Sequence, residues 1–93
     1  MRHVLVATSH RHQLAEELRE AADGRTVFAT VHGVDLALER LSRSARVDAV
    51  VTDDPGIAAA IQSEIPGALP VVLAADDEGP NSVLEALDGR VTA

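Results

Sequence analysis

Short apolar runs alternate four times with longer segments in which apolar residues recur every three or four positions. The runs predict four strands, at Val4–Thr8, Thr26–Val31, Asp48–Thr52 and Val71–Ala75. Strands that alternate with amphipathic helices are typical of βαβ units, in which the strands are parallel and the helices cover both faces of the sheet. The pattern therefore predicts a three-layer α/β/α sandwich.

Helices are predicted at 11–22, 33–45, 55–65 and 81–88. Pro55 can open the third, and Asn81 or Ser82 is expected to cap the fourth. Three of the helices are expected to end at a pair that contains glycine: Asp23-Gly24, Pro66-Gly67 and Asp88-Gly89. Residues 90–93 then leave room for at most a stub of a fifth strand.

Right-handed crossovers would divide these helices between the two faces of the sheet. By analogy with flavodoxin-like folds, we expect the strand order 2-1-3-4, with the fifth strand missing or vestigial. The switch point of that order lies between strands 1 and 3, beside Thr8-Ser9-His10 and Asp53-Asp54. Ligands of open α/β sheets bind at such a point, so these residues are the first candidates for a site.

The composition limits the classes of function. A chain of 93 residues with 46% apolar content is expected to form one domain over 1–93. The net charge of −7 repels nucleic-acid backbones and anionic membranes, so neither is expected as a partner. There is no cysteine for disulfides or thiolate catalysis. The first apolar run is too short for a signal peptide, and we expect a cytoplasmic protein.

Acidic residues follow strands 3 and 4, while polar residues follow strand 1. Because parallel strands end at one edge of the sheet, these residues are expected to line a common rim. The candidate rim residues are Thr8, Ser9, His10, Asp53, Asp54, Asp76 and Asp77. Such acids can also be a solvated edge, or can satisfy backbone donors at a helix start, a role that suits Asp54 because Pro55 follows it.

Two segments resemble the receiver domain of bacterial two-component response regulators. They are Gly33–Leu41, which resembles the start of a receiver helix, and Val47–Asp53, which resembles the strand that ends in the phosphoacceptor aspartate. The resemblance extends from Arg2 to Gly89. It implies the same α/β fold and places Asp53 at the position that accepts phosphate from a histidine kinase.

The chain departs from receivers at the positions that carry their chemistry. Thr8, Ser9 and His10 stand where receivers have the acids that help hold Mg²⁺, and Mg²⁺ requires hard oxygen ligands. Alanine occupies the expected position of the switch hydroxyl, at Ala74 or Ala75, and the chain contains no lysine. The resemblance therefore implies a pseudo-receiver: a non-enzymatic signalling module that binds proteins without a phosphorylation switch.

Two phosphoryl-accepting alternatives remain open. In the first, Asp53 keeps the role of a response-regulator acceptor. In the second, His10 carries the phosphoryl group, because the segments Val6–His10 and Leu14–Leu18 resemble the first strand and helix of mannose-type phosphotransferase proteins. Neutral imidazole is nucleophilic near neutral pH.

A metal site is a further alternative at the same rim. His10, His12 and His32 follow strands that are adjacent in the proposed order. With Asp53 or Asp54 they would supply imidazole and carboxylate ligands for zinc or a similar metal, although their spacing matches no known metal motif.

The expected partners are proteins, including a second copy of the chain. Without a fifth strand, strand 4 becomes an apolar sheet edge, which natural proteins seldom leave uncovered. We therefore expect a homodimer that forms through strand 4 or the final helix.

Overall fold

In the part of the chain that the structure describes, four strands alternate with four helices, as the apolar pattern predicts. The computed structural model describes residues 2–22, 24, 26–43, 47–64, 69–75 and 77–92. The strands are β1 Arg2–Thr8, β2 Thr26–His32, β3 Ala49–Thr52 and β4 Val71–Leu73. The helices are α1 Leu14–Ala21, α2 Val34–Arg43, α3 Pro55–Glu64 and α4 Pro80–Thr92.

All paired strands are parallel, and the sheet order is β2-β1-β3-β4. This order confirms the predicted 2-1-3-4 arrangement and is consistent with a flavodoxin-like fold. Leu5 of β1 pairs with Ala29 of β2 on one side and with Val50 of β3 on the other. The switch point therefore lies between β1 and β3, at the carboxyl ends of both strands.

Apolar side chains form one core on each face of the sheet. Val51 belongs to the core beneath α1 and α4, whereas its neighbour Val50 belongs to the core beneath α2 and α3. Both side chains are fully buried. A strand that is covered on both faces has no polar side, which explains why the run Ala49–Val51 of β3 is apolar.

Helix α4 differs from its predicted form at both ends. It begins at Pro80, ahead of the predicted caps, because proline suits the first helical turn. It also continues through Gly89, so residues 90–92 are helical and form no stub of a fifth strand. Buried Val83 and Leu87 pack with α1 in the same core, and this packing outweighs the weak helix propensity of glycine.

Helix α4 lies on a different face of the sheet from the one that a crossover helix after β4 would cover. Helices α2 and α3 share one face of the sheet, and α4 lies beside α1 on the other. Because crossovers are right-handed, a helix that leads to a parallel strand beyond β4 would lie on the α2 and α3 face. Helix α4 therefore closes the core beside α1 and is not the crossover to a strand beside β4.

Two strand boundaries differ from the predicted ones. Asp48 lies just before β3, where its Oδ2 accepts a hydrogen bond from the His3 N–H at 2.7 Å. Strand β4 ends at Leu73, two residues earlier than predicted. The predicted helix ends at Asp23, Ala45 and Ile65–Gly67 lie outside the described residues. In the described part of the chain, no helix is both long and apolar enough to span a membrane.

Candidate functional site

The carboxyl ends of β1 and β3 converge on the side chain of Asp53. This residue follows β3 directly, and the β1–α1 loop, residues 9–13, faces it across the switch point. The side chain of Asp53 has no solvent exposure. Among the described residues, it is the only buried acidic residue.

Three consecutive backbone N–H groups of the loop bond the Asp53 carboxylate. The Ser9 N–H donates to Oδ1 at 2.8 Å, while the N–H groups of His10 and Arg11 donate to Oδ2 at 3.0 and 2.6 Å. Successive N–H groups that point into one concavity form an anion-binding nest. Here the anion is a side chain of the chain itself, so Asp53 anchors the loop to β3.

The balance of two opposing effects keeps Asp53 ionised. Burial is the largest effect and would raise the pKa of its carboxyl. Hydrogen bonds from the backbone of Arg11, Ser9 and His10, together with the nearby His10 imidazole, oppose it and leave the pKa below its usual value. The ionised form is therefore the one that this loop stabilises.

His10 lies beside the anchor but faces solvent. Its side chain is 53% exposed, and Nδ1 lies 3.5 Å from Oδ2 of Asp53. The Ser9 hydroxyl oxygen is 3.0 Å from the same Nδ1. Three of the predicted rim residues are thus brought together, with the carboxylate buried and the imidazole at the surface.

Arg11 extends the loop contacts toward β4, a role that no sequence motif indicates. Its guanidinium donates to the Ala75 carbonyl at 2.9 Å and to Glu17 of α1 at 3.1 Å. Its side chain is only 14% exposed. The loop is therefore fixed both by its backbone, on Asp53, and by this side chain.

A second cluster forms on the β2 side of β1. Thr8 is fully buried, and its Oγ1 lies 3.0 Å from Nδ1 of His32. Nδ1 of His12 lies 3.4 Å from that same nitrogen, and the two rings meet edge to face with centroids 5.1 Å apart. The three predicted rim histidines thus belong to two separate clusters. His12 contacts His32, whereas His10 lies beside Ser9 and Asp53.

The remaining rim acids have separate positions. Oδ1 of Asp54 accepts the Gly56 N–H at 2.7 Å, so Asp54 caps α3 as predicted. Asp77 is exposed, and Asp76 lies outside the described residues. Within the described ranges, no three histidine, aspartate or glutamate side chains are placed to hold one metal ion. Asp53, Asp54, His10 and His32, the ligands considered from the sequence, form no such group within these ranges.

Comparisons with protein-family models, with curated proteins and with solved structures found no match. The geometry of the rim is therefore the basis on which a function can be argued.

Proposed function

We propose that this chain is a pseudo-receiver, a signalling module of two-component type that binds protein partners without an aspartyl-phosphate switch. The observation that carries the proposal is the buried Asp53 carboxylate, both of whose oxygens accept backbone N–H groups. A phosphoacceptor must present one of its oxygens to an incoming phosphoryl group. In this chain both oxygens are already bonded within the protein.

Freeing Asp53 for reaction would be costly. Hydrogen bonds to a charged group contribute about 1.5–3 kcal/mol each to stability, and the carboxylate accepts three. Oδ2 accepts two N–H groups, so attack on phosphorus through this oxygen would break the contacts with His10 and Arg11. Oδ1 accepts the Ser9 N–H, and the side chain has no solvent exposure, so a phosphoryl donor would have to displace the loop to reach it.

Among the described residues, the surroundings of Asp53 also lack the lysine and the carboxylates after β1 with which receivers stabilise phosphoryl transfer. Such transfer depends on metal ions and cationic side chains that neutralise charge on the phosphoryl oxygens. The chain has no lysine, and Thr8, Ser9 and His10 supply no carboxylate for Mg²⁺. Ala74 is buried and carries no hydroxyl. These features support a domain whose rim is held in one conformation.

Self-association belongs to the same proposal. Strand β4 is an edge of the described sheet, and Leu73 at its end is 47% exposed. We expect a homodimer that buries this side chain, with Leu73→Glu shifting the equilibrium to monomer. Light scattering over a range of protein concentrations measures the mass, and a concentration-independent monomer for the native chain would contradict the expectation.

Acetyl phosphate with Mg²⁺ tests the central claim. After incubation, the intact mass of the native protein should show no added phosphoryl group, whereas an active receiver treated in parallel should show one. Asp53→Asn provides the matched control for this chain. A phosphoryl adduct on the native protein that Asp53→Asn abolishes would overturn the proposal.

A second candidate, phosphoryl transfer to His10, is supported by one observation. The imidazole is exposed and lies beside the Ser9 hydroxyl and the Asp53 carboxylate, and a nearby carboxylate can orient a nucleophilic histidine. An acid-labile, alkali-stable adduct that His10→Ala removes would favour this carrier over the pseudo-receiver. The same mass measurement thus separates the two candidates.

A further inference from the structure

Two histidines meet at the carboxyl ends of β1 and β2, away from the Asp53 anchor. His12 belongs to the β1–α1 loop and His32 is the last residue of β2, so the two come from different elements. Both residues are exposed. Their Nδ1 atoms lie 3.4 Å apart, with the ring planes at 66° to each other.

This separation is long for a hydrogen bond but suits two ligands of one metal ion. N–H donors usually lie about 2.7–3.2 Å from their acceptors. Two imidazole nitrogens about 2.05 Å from a tetrahedral zinc ion are about 3.3–3.4 Å apart, as the tetrahedral angle requires. Ligands at right angles would lie closer, about 2.9 Å apart at the same bond length.

We propose that His12 and His32 form a two-histidine site that binds a tetrahedral divalent cation through Nδ1, with Zn²⁺ as the preferred ion. Water completes the coordination, since the described residues provide no third histidine or carboxylate at this point. Such a site is open to solvent and its metal is exchangeable.

The neighbouring threonine hydroxyl competes with a metal for the Nδ1 of His32. The Thr8 Oγ1 lies 3.0 Å from the His32 Nδ1, and it also lies 3.4 Å from the carbonyl oxygen of Val31. A metal on the Nδ1 lone pair displaces this hydroxyl, and the carbonyl that remains for the hydroxyl proton lies beyond the usual O–H···O distance of about 2.5–3.0 Å. Binding of the metal therefore has to outweigh the loss of the Thr8 contact.

The charge of the chain favours a cation at this position. The net charge is −7, and the nearby loop rests on the ionised Asp53. A metal at His12 and His32 would join the β1–α1 loop to the end of β2. It would thus add a second attachment to a loop that Asp53 already fixes to β3.

Isothermal titration of the full chain with ZnCl₂ tests the proposal. We expect one ion per chain, with affinity reduced by about tenfold or more in His12→Ala and in His32→Ala, the scale on which changes around a metal alter its binding. His3→Ala is the matched control, because His3 lies near the amino end of β1 at the opposite edge of the sheet. That variant should bind as the native chain does.

Two further readouts locate the ion. Co²⁺ should give the intense visible absorption of tetrahedral coordination, and ¹⁵N chemical shifts should move at Nδ1 of both histidines on addition of Zn²⁺. Circular dichroism establishes that each variant is folded. The proposal is overturned if the native chain binds no Zn²⁺, if both variants bind normally, or if His3→Ala loses binding to the same extent.

Discussion

Acidic residues follow both β3 and β4, yet their positions in the structure differ. At the end of β3, Asp53 is buried and accepts three N–H groups, whereas Asp77 beyond β4 is exposed. The difference comes from the neighbouring strands. β3 lies beside β1, whose loop supplies the donors, while β4 is an edge of the described sheet with one strand neighbour. A carboxylate at a strand end thus takes its role from the loop that faces it.

Removing the buried carboxylate should lower the free energy of unfolding more than any other substitution considered for these two strand ends. Asp53→Ala removes the charged acceptor of three part-buried hydrogen bonds, and hydrogen bonds to a charged group contribute about 1.5–3 kcal/mol each. We expect the free energy of unfolding to fall by about 3 kcal/mol or more, which urea denaturation measures. A loss below about 1 kcal/mol would show that the loop does not depend on Asp53.

A small anion can test whether the nest itself is responsible. In Asp53→Ala, formate or acetate can occupy the vacated position and accept the same N–H groups. Either anion should raise the urea midpoint of this variant more than chloride does at equal ionic strength, and should have little effect on the native chain. Equal responses of both proteins would show a general salt effect.

The dependence of stability on pH follows from the lowered pKa of Asp53. Because this carboxyl binds protons more weakly in the folded state, its contribution is complete above the unfolded value of about 3.9 and is lost as the pH falls through the folded pKa. The stability difference between the native chain and Asp53→Asn should therefore shrink as the solution is acidified below about pH 4. Urea denaturation at several pH values measures it, and a constant difference would contradict this.

Loss of the α3 cap should lower stability by an intermediate amount. Asp54→Ala removes the acceptor of the Gly56 N–H, and loss of such a cap typically costs about 1 kcal/mol. Asp54→Ser retains a capping oxygen and should recover most of this loss. If Ala and Ser at this position were equally stable, the hydrogen bond would not be the cause.

The alternation of strands and helices and the Asp54 cap could be predicted because they depend on local pattern, whereas the strand order was expected by analogy with flavodoxin-like folds. Alternating apolar runs fix the elements, right-handed crossovers fix the helix faces, and an acid before Pro55 is a helix-start signal. The partners of Asp53 could not be found in this way. They are backbone N–H groups, which every residue except proline possesses, so Ser9 and Arg11 carry no sign of this role.

Tertiary packing explains the other differences from the sequence-based expectation. Gly89 favours a helix end, but buried Leu87 in the preceding turn holds α4 against the α1 side of the sheet. Likewise, the sequence pattern predicts that the three rim histidines lie together in one cluster. The β1–α1 loop instead turns His10 toward Asp53 and His12 toward His32. Spacing along the chain did not determine which imidazole would face which strand.

Substitution of the exposed acid after β4 should change stability least. Asp77→Asn removes a charge without changing the shape of the side chain, and surface substitutions of this kind usually alter stability by less than about 0.5 kcal/mol. Asp53→Asn makes the same chemical change at the buried position, where the loop stabilises the charge. The two variants should therefore differ clearly in urea midpoint, although the substitution is identical. Equal midpoints would mean that burial and the three N–H donors do not distinguish these two strand ends.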